Sequence, residues 1–546
     1  MIQPTDTYLE KNDLSDKSPL YTIHFAGEDT DYCNLIPISP AVTYKKYLKG
    51  ITGLTQTVTP ERGKASISSV KVELTDYNNE ITTLMGTDPY NFQNREVEIK
   101  AGYVGMEESE LLLIATGWVS DIDLSKNAGG YIFEIQDPQS WLLKEIFIDA
   151  TDDSPLTLAG NPINIILAIM TSTGTGTNGF YDYLAANDGV GLDINLINLE
   201  HIEYLRDSNF PGASNFLSFR ITESSKARDW LSDEILRLIF AYPVVNPDGK
   251  FDLKLSKPAL PTTGDQPIFT DDDIVGMPKM KGNFSALINT VEIYYDYDEE
   301  DDEFDSVAQY TDEDSIENRG AGSSVFKIES KGLRTGNIAT QDMLDRIGGH
   351  ILYRYATPPI QIEFKAFYSK LLSEVGDIAS FTHSLLPDLE TGTRGLTGKY
   401  IEITKRTAQW RKGYISFSAL DTNYGRALST VVSPTMTVVS DTRNSETIFY
   451  VSLEDAAKYI GYSSPVIQLY SANMEKQGNV VTITVNLNPN KGEIYCDDLG
   501  LIPQEGWIVV FAEYDDVTDE QKHFGYVADA NNELGTDKDP AHIVAY

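Results

Sequence analysis

The sequence predicts a β-rich α+β protein of several domains. Apolar and polar residues alternate in short runs spread over most of the chain, the pattern of strands with one buried face. Helical stripes are few, and each stands beside such runs. Turn chemistry based on Gly, Pro and Asp separates the segments. At 546 residues the chain has room for roughly four domains of about 150 residues. With 41% hydrophobic residues, 31 Tyr and 21 Phe, it can fill their cores.

In chain order, residues 1–18 form a polar leader. Asp6, Glu10 and Asp13 interrupt it and it lacks the apolar stretch of a signal peptide. Residues 19–150 predict a small antiparallel barrel with a flanking helix. Val70, Val72 and Leu74 alternate with Lys71, Glu73 and Thr75, and Val97, Ile99 and Ala101 alternate with Glu96, Glu98 and Lys100. Strands at Leu111–Val119 and Tyr131–Ile135 follow. Asp137-Pro138 then supplies an N-cap and a proline at the first helical position, opening a helix through Trp141, Leu142, Ile146 and Phe147.

Residues 151–283 read as an α+β domain. Helices are expected at Pro162–Thr171 and Lys226–Phe240, and Asn246-Pro-Asp-Gly249 is expected to join Tyr242–Val245 to Phe251–Leu255 in a hairpin. Residues 284–430 predict a second barrel beginning at Asn289–Tyr294. Its helix carries Met343, Ile347, Ile351 and Leu352 on one stripe and ends at Pro358-Pro359. Alternating strands follow, Ile360 to Ala366 and Ile415 to Ala419, the first leading into a Val375-Gly376-Asp377 turn. Residues 431–546 read as a β-rich module closing on an apolar Ala541–Tyr546 strand.

Composition and motifs exclude several functions. Lys plus Arg number 43 against 82 Asp plus Glu, a net charge of −39 that opposes nucleic-acid phosphate and anionic lipid. Cys33 and Cys496 make no disulfide framework, and both are expected as free thiols. The longest apolar runs, Ile163–Met170 and Trp507–Ala512, are far shorter than the ~18 residues of a spanning helix. Gly174-Thr-Gly-Thr-Asn-Gly179 has the letters of a dinucleotide loop but follows a helix where that fingerprint follows a strand. Gly395-Leu-Thr-Gly398-Lys399 fails the phosphate-loop spacing at both ends and is expected as a hairpin loop. An EF-hand begun at Asp296 would need Gly and Glu where Asp301 and Val307 stand. The acidic runs at 296–305, 271–273 and 515–519 are therefore expected as solvated loops. The histidines His24, His201, His350, His383, His523 and His542 lack metal-ligand spacing, and no nucleophile elbow occurs. No catalytic, cofactor-binding or metal-binding residue emerges, and none is assigned.

One ordered set of features resembles a known family. A helix ending at Pro358-Pro359, a strand, a Gly376-Asp377 turn, Thr382-His383, Leu386-Pro387, a Gly-rich loop, two strands and Asp421-Thr-Asn-Tyr-Gly425 stand as in the second barrel of bacteriophage tail hubs, most like those of long non-contractile tails. Lys64-Ala65 through Thr75, Arg95-Glu96-Val97, Gly117-Trp118-Val119 and the Asp137–Phe147 segment are similar to the first barrel, and the helix plus Asp-Gly hairpin to the insertion domain. The resemblance covers about residues 19–430. It implies two tail-tube-like barrels per subunit, a homotrimer at the tail tip of a virion assembled in the host cytoplasm, and no enzyme activity or cofactor. The partners it implies are a distal tail ring protein, a tape-measure protein and a central fibre or receptor-binding protein, with DNA passing through unbound. On this resemblance the acidic stretch Asp296, Asp298, Glu299, Glu300, Asp301, Asp302, Glu303 and Asp305 becomes a candidate loop of the lumen or its mouth. A host-binding adhesin built on residues 431–546 and a tail-associated cell-wall hydrolase are the rival readings.

Overall fold

The computed structural model describes residues 6–421 except 13–17, 39, 67–68, 87, 89, 128, 211–216, 257–266, 300, 313–314, 318–323, 337–339, 389–391 and 410–412, and beyond them the backbone of eight strands. The chain is β-rich with scattered helices, as expected. Two eight-stranded sheets dominate. In the first the order is Thr43–Lys45, Thr30–Cys33, Pro19–Phe25, Glu96–Tyr103, Leu112–Asn127, Gly130–Gln136, Ser69–Thr75, Leu48–Ile51. Its inward positions are those the alternation marks: Val70, Val72, Leu74, Val97, Ile99 and Ala101 are all buried. Phe25, Phe92 and Phe133 meet at its centre with ring centroids 5.0–5.4 Å apart.

The edge strands of this sheet, Thr43–Lys45 and Leu48–Ile51, are joined by Lys46 and Tyr47 alone. Such a link reaches about 11 Å at most, so the sheet curls until its edges approach at that corner. Tyr47 bridges the Thr43–Lys45 edge to Ser69–Thr75, the strand next to the other edge: its N–H donates to the Lys45 carbonyl and its carbonyl accepts from the Thr75 N–H, both at 2.8 Å.

The next strand, Leu54–Thr59, leaves that sheet and joins the other, pairing antiparallel with Lys405–Ala408. The second sheet otherwise runs Ile268–Phe269, Ile378–Asp388, Thr393–Gln409, Tyr414–Asp421, Ile360–Phe367, Lys279–Gly282. Both sheets contribute to one hydrophobic core, in which Val72, Phe133, Phe364, Phe381 and Phe417 all sit. Gly53 sits at the crossing, where a Cβ would stand 2.7 Å from the Ala408 carbonyl oxygen.

A second core joins residues 142–255 to residues 291–355. The Pro162–Thr171 helix is buried along nearly its whole length, its start fixed by the Asn161 side chain accepting from the Ile163 N–H at 2.9 Å. The Ala241–Val245 and Phe251–Leu255 hairpin forms as its turn chemistry dictates. The expected helix over 226–240 is regular only at Ala227–Leu231 and widens into a π-turn at Ser232–Leu236. There the Ser232 hydroxyl donates to the Gly63 carbonyl at 3.2 Å, and a Cβ on Gly63 would stand 2.6 Å from the Leu236 Cβ.

Other elements depart from the sequence expectation for local reasons. Asp137 caps the Gln139 N–H at 2.9 Å, yet the helix stops as a 3-10 turn at Leu143 because Glu145-Ile146 pairs with Ser225-Lys226. The Asn289–Tyr294 segment does not start the second large sheet. From Thr290 on it lies in the strand Thr290–Asp298, the centre of a three-stranded sheet with Glu303–Thr311 and Val325–Glu329, whose Val291 and Ile293 share the second core with Met343, Leu344 and Ile347. Gly395–Lys399 is not a hairpin loop but part of the Thr393–Gln409 strand, where bulges absorb the left-handed Gly395 and Gly398. The leader contains a helix, Asp6–Asn12, whose Tyr8 is buried with its ring 5.3 Å from that of Tyr103.

Charged side chains lie between the two cores. Arg354, near the end of the Thr340–Tyr355 helix, donates to Glu402 of the second sheet at 2.6 Å, both side chains 1% exposed. Lys254 of the hairpin reaches Glu374 at 3.1 Å and Asp377 at 3.3 Å. His350 stacks on Phe240 at 3.8 Å; burial first, then Arg354 and Arg346, hold its pKa well below the ordinary range.

Beyond residue 421 the described backbone forms a three-stranded and a five-stranded antiparallel sheet, with Ile543–Ala545 paired to Phe524–Val527. The Thr422–Gly425 part of the terminal motif, the Asn488–Gly492 turn, the 515–519 acidic run, His523 and His542 lie outside the described residues.

Candidate functional site

The acidic stretch becomes the end of a β-hairpin. Thr290–Asp298 and Glu303–Thr311 pair antiparallel with Asp298 opposite Glu303, and Glu299, Asp301 and Asp302 lie in the turn between them. Glu300 lies outside the described residues. The stretch is therefore mostly strand with a short turn, and its acids divide into two groups.

Asp296, Glu299 and Asp302 are held from within. Asp296 adopts φ +56° and accepts from the Thr335 N–H at 2.6 Å and from the Thr335 hydroxyl. Burial raises its pKa, but the Thr335 bonds together with Ser306 and Arg334 outweigh that and hold the carboxyl below the usual range. Arg334 donates to Glu299 at 2.6 Å and to the Tyr297 carbonyl. Asp302 accepts from the Tyr297 hydroxyl, which, together with burial, pushes that phenol up to about 12. Lys331 stands over the Tyr297 ring at 4.4 Å. Asp301, Glu303 and Asp305 are exposed, and Asp298 is half-buried.

The segment Lys331–Thr335 is what the sequence reading missed. It places two cations and a threonine against the hairpin, and its signal was only a Lys-Gly-Leu-Arg step just before the amphipathic helix in an otherwise acidic chain. Oxygen ligands are spent on internal partners rather than turned toward one point. Among the described residues no cluster of three or more His, Cys, Asp or Glu is arranged to hold a metal ion.

The Gly174–Gly179 loop is organised by its own acid. The Asp182 carboxylate accepts from the Thr173 N–H at 2.6 Å, the Thr173 hydroxyl at 2.5 Å, the Gly174 N–H at 3.1 Å and the Asn178 N–H at 3.2 Å. The backbone amides a phosphate would need already face a carboxylate. These bonds, the Thr173 hydroxyl first, hold the Asp182 pKa at about 2. A depressed carboxylate contributes its stability above its ordinary pKa of about 3.9 and loses it as pH falls through the folded value. The thermal midpoint of wild type should thus exceed that of Asp182→Asn at pH 5, with the gap closing as pH approaches about 2. A gap independent of pH sinks the assignment.

No family model matches the chain, and no curated protein matches it. Solved structures do. A 43 kDa tail protein of prophage MuSo2 from Shewanella oneidensis is 11% identical with TM-score 0.41, over 73% of this chain and 98% of that one. A tail protein from Neisseria meningitidis is 9% identical with TM-score 0.40, over 74% and 97%. A Francisella PdpA–VgrG complex is similar over 96% of this chain and 73% of that one, at 13% identity and TM-score 0.34. Among the described residues no helix is long and apolar enough to cross a membrane.

Proposed function

We propose that this chain is the structural hub of a bacteriophage tail tip, a trimer that closes the tail tube and becomes the DNA exit channel on host attachment. The observation that carries the reading is the strand Leu54–Thr59, which crosses from one curled eight-stranded sheet into the other and gives both a common core. Two eight-stranded sheets sharing a core in one subunit suit a threefold ring of sixfold character. On this reading residues 19–150 supply most of the first tube-like barrel and 284–430 most of the second, to which Leu54–Thr59, Ile268–Phe269 and Lys279–Gly282 add strands, while 151–283 is the insertion domain onto which residues 290–355 pack. Residues 431–546 form the terminal module. Its neighbours are the distal tail ring protein, the tape-measure protein and a central fibre or receptor-binding protein.

The mechanism is mechanical, and no catalytic group is assigned to it. At −39 per chain an acidic wall repels phosphate, so DNA passes without being retained. Asp301, Glu303 and Asp305 are the members of the acidic stretch free to face such a lumen or its mouth. Purified protein is expected to give a threefold ring in negative-stain images and a trimer mass by light scattering. It should not shift duplex DNA on a gel at low ionic strength. A clean monomer at micromolar concentration, with or without the tail ring protein, defeats the hub reading. Tight, salt-sensitive DNA binding defeats the repulsive channel alone.

A further inference from the structure

Two exposed sheet edges of opposite charge stand on this chain. The first is Glu303–Thr311, the outer strand of the three-stranded sheet. Its Ala308 and Tyr310 turn toward the second core, while Glu303, Asp305, Val307 and Gln309 are exposed, Val307 by 55%. A nine-residue edge is long, and this one contains neither the Lys nor the Pro that commonly blocks edge pairing. Its neighbouring turn adds Asp301 and Asp302.

The second is Lys279–Gly282, an edge strand of the large second sheet, with Ile360–Phe367 on its inner side. Lys279, Lys281 and Gly282 are exposed, and the strand is flanked by Met277 and Phe284, 59% and 55% exposed. Glu363 stands opposite Lys279 in the register, yet among the described residues neither lysine forms an ion pair. In a chain of net charge −39, most of the surface repels a second copy. A lysine pair beside apolar side chains on an open edge is a place where one is attracted.

We infer that the acidic edge Glu303–Thr311 of one copy docks on the basic edge Lys279–Gly282 of the next. The occupant of each edge is thus a second copy of this chain, a choice that rests on charge complementarity and on the trimer reading above. The contact is head-to-tail: each copy offers one edge of each kind, so contacts propagate from copy to copy, and on the trimer reading they close into a ring of three. Backbone pairing between the edges supplies the geometry, Val307 with Met277 and Phe284 supplies apolar area, and the charges select the register.

A charge swap tests it on the full-length chain. Lys279→Glu with Lys281→Glu should raise the trimer dissociation constant at least about tenfold, as should Glu303→Lys with Asp305→Lys. The protein carrying both pairs of changes should return most of the affinity, because the edges are again complementary. All sites are exposed, and circular dichroism of each variant checks folding. Trimers of wild-type strength in both reversed variants overturn the contact and leave the hub reading intact. Two weakened variants without rescue in the combined protein also overturn it. A monomeric wild type overturns both the contact and the hub reading.

Discussion

Replacing Arg354 by methionine should lower the unfolding free energy by about 3–5 kcal/mol, the usual cost of stranding one partner of a buried ion pair. Glu402 is fully buried and accepts from Arg354 at 2.6 Å. Its burial already raises its pKa, with Arg354 opposing that rise. Without the guanidinium the carboxyl can stay in the core only as the neutral acid. An acid whose folded pKa lies above its unfolded value of about 4.3 contributes stability below that unfolded value and loses it as pH rises through the folded one. The deficit of Arg354→Met should therefore be smaller at pH 5 than at pH 8. Arg354→Met with Glu402→Leu should recover most of the loss, since an apolar pair of similar volume has no charge to desolvate. Denaturant unfolding of the three proteins at both pH values is the measurement. A single-variant loss under about 1 kcal/mol would show that the pair does not join the two cores energetically.

That ion pair marks where the sequence stops being legible. The helix bearing Arg354 is written in the Met343, Ile347, Ile351 stripe, and all three are buried. The Asn246–Gly249 turn and the alternating strands from Val70 to Leu74 and from Ile360 to Ala366 also follow from local chemistry. Their partners do not. The strand Leu54–Thr59 does not stand out in the sequence, and nothing in Leu-Thr-Gln-Thr-Val-Thr says that it pairs with residues some 350 positions away. Arg354 and Glu402 look like surface charges until the fold brings them together. The acidic hairpin shows the same division: its carboxylates are a plain run in sequence, while Arg334 and Thr335, which decide which of them are held, arrive from a separate segment. Local periodicity specifies elements. Long-range polar contacts depend on topology, which periodicity does not encode.

Gly376→Ala should cost about 2–5 kcal/mol, although it adds one methyl group. Gly376 has φ +81°, where an L side chain is strained, and a Cβ there would lie 1.9 Å from the Tyr242 hydroxyl oxygen and 3.1 Å from Cζ of the same ring. Tyr242 is fully buried, so neither partner can swing into solvent. The turn is also fixed from behind: the Gly376 N–H donates to the Ile403 carbonyl at 2.7 Å, and the flanking Glu374 and Asp377 hold Lys254. Moving the turn to accommodate a methyl group would pull those acids from the lysine of the Ala241–Leu255 hairpin, so the strain reaches the junction between the two cores. The two contributions separate by a second change. Among the described residues the Tyr242 hydroxyl has no hydrogen-bond partner, so Tyr242→Phe alone should be close to neutral. In Gly376→Ala with Tyr242→Phe the nearest ring atom is at 3.1 Å, a tight contact that a small shift relieves. What remains should be the backbone cost of about 1–2 kcal/mol. Thermal and denaturant unfolding of the single and double variants form a cycle whose coupling should be at least about 1 kcal/mol. A double variant no more stable than Gly376→Ala would show that the tyrosine does not fix this turn, and that backbone strain alone accounts for the loss.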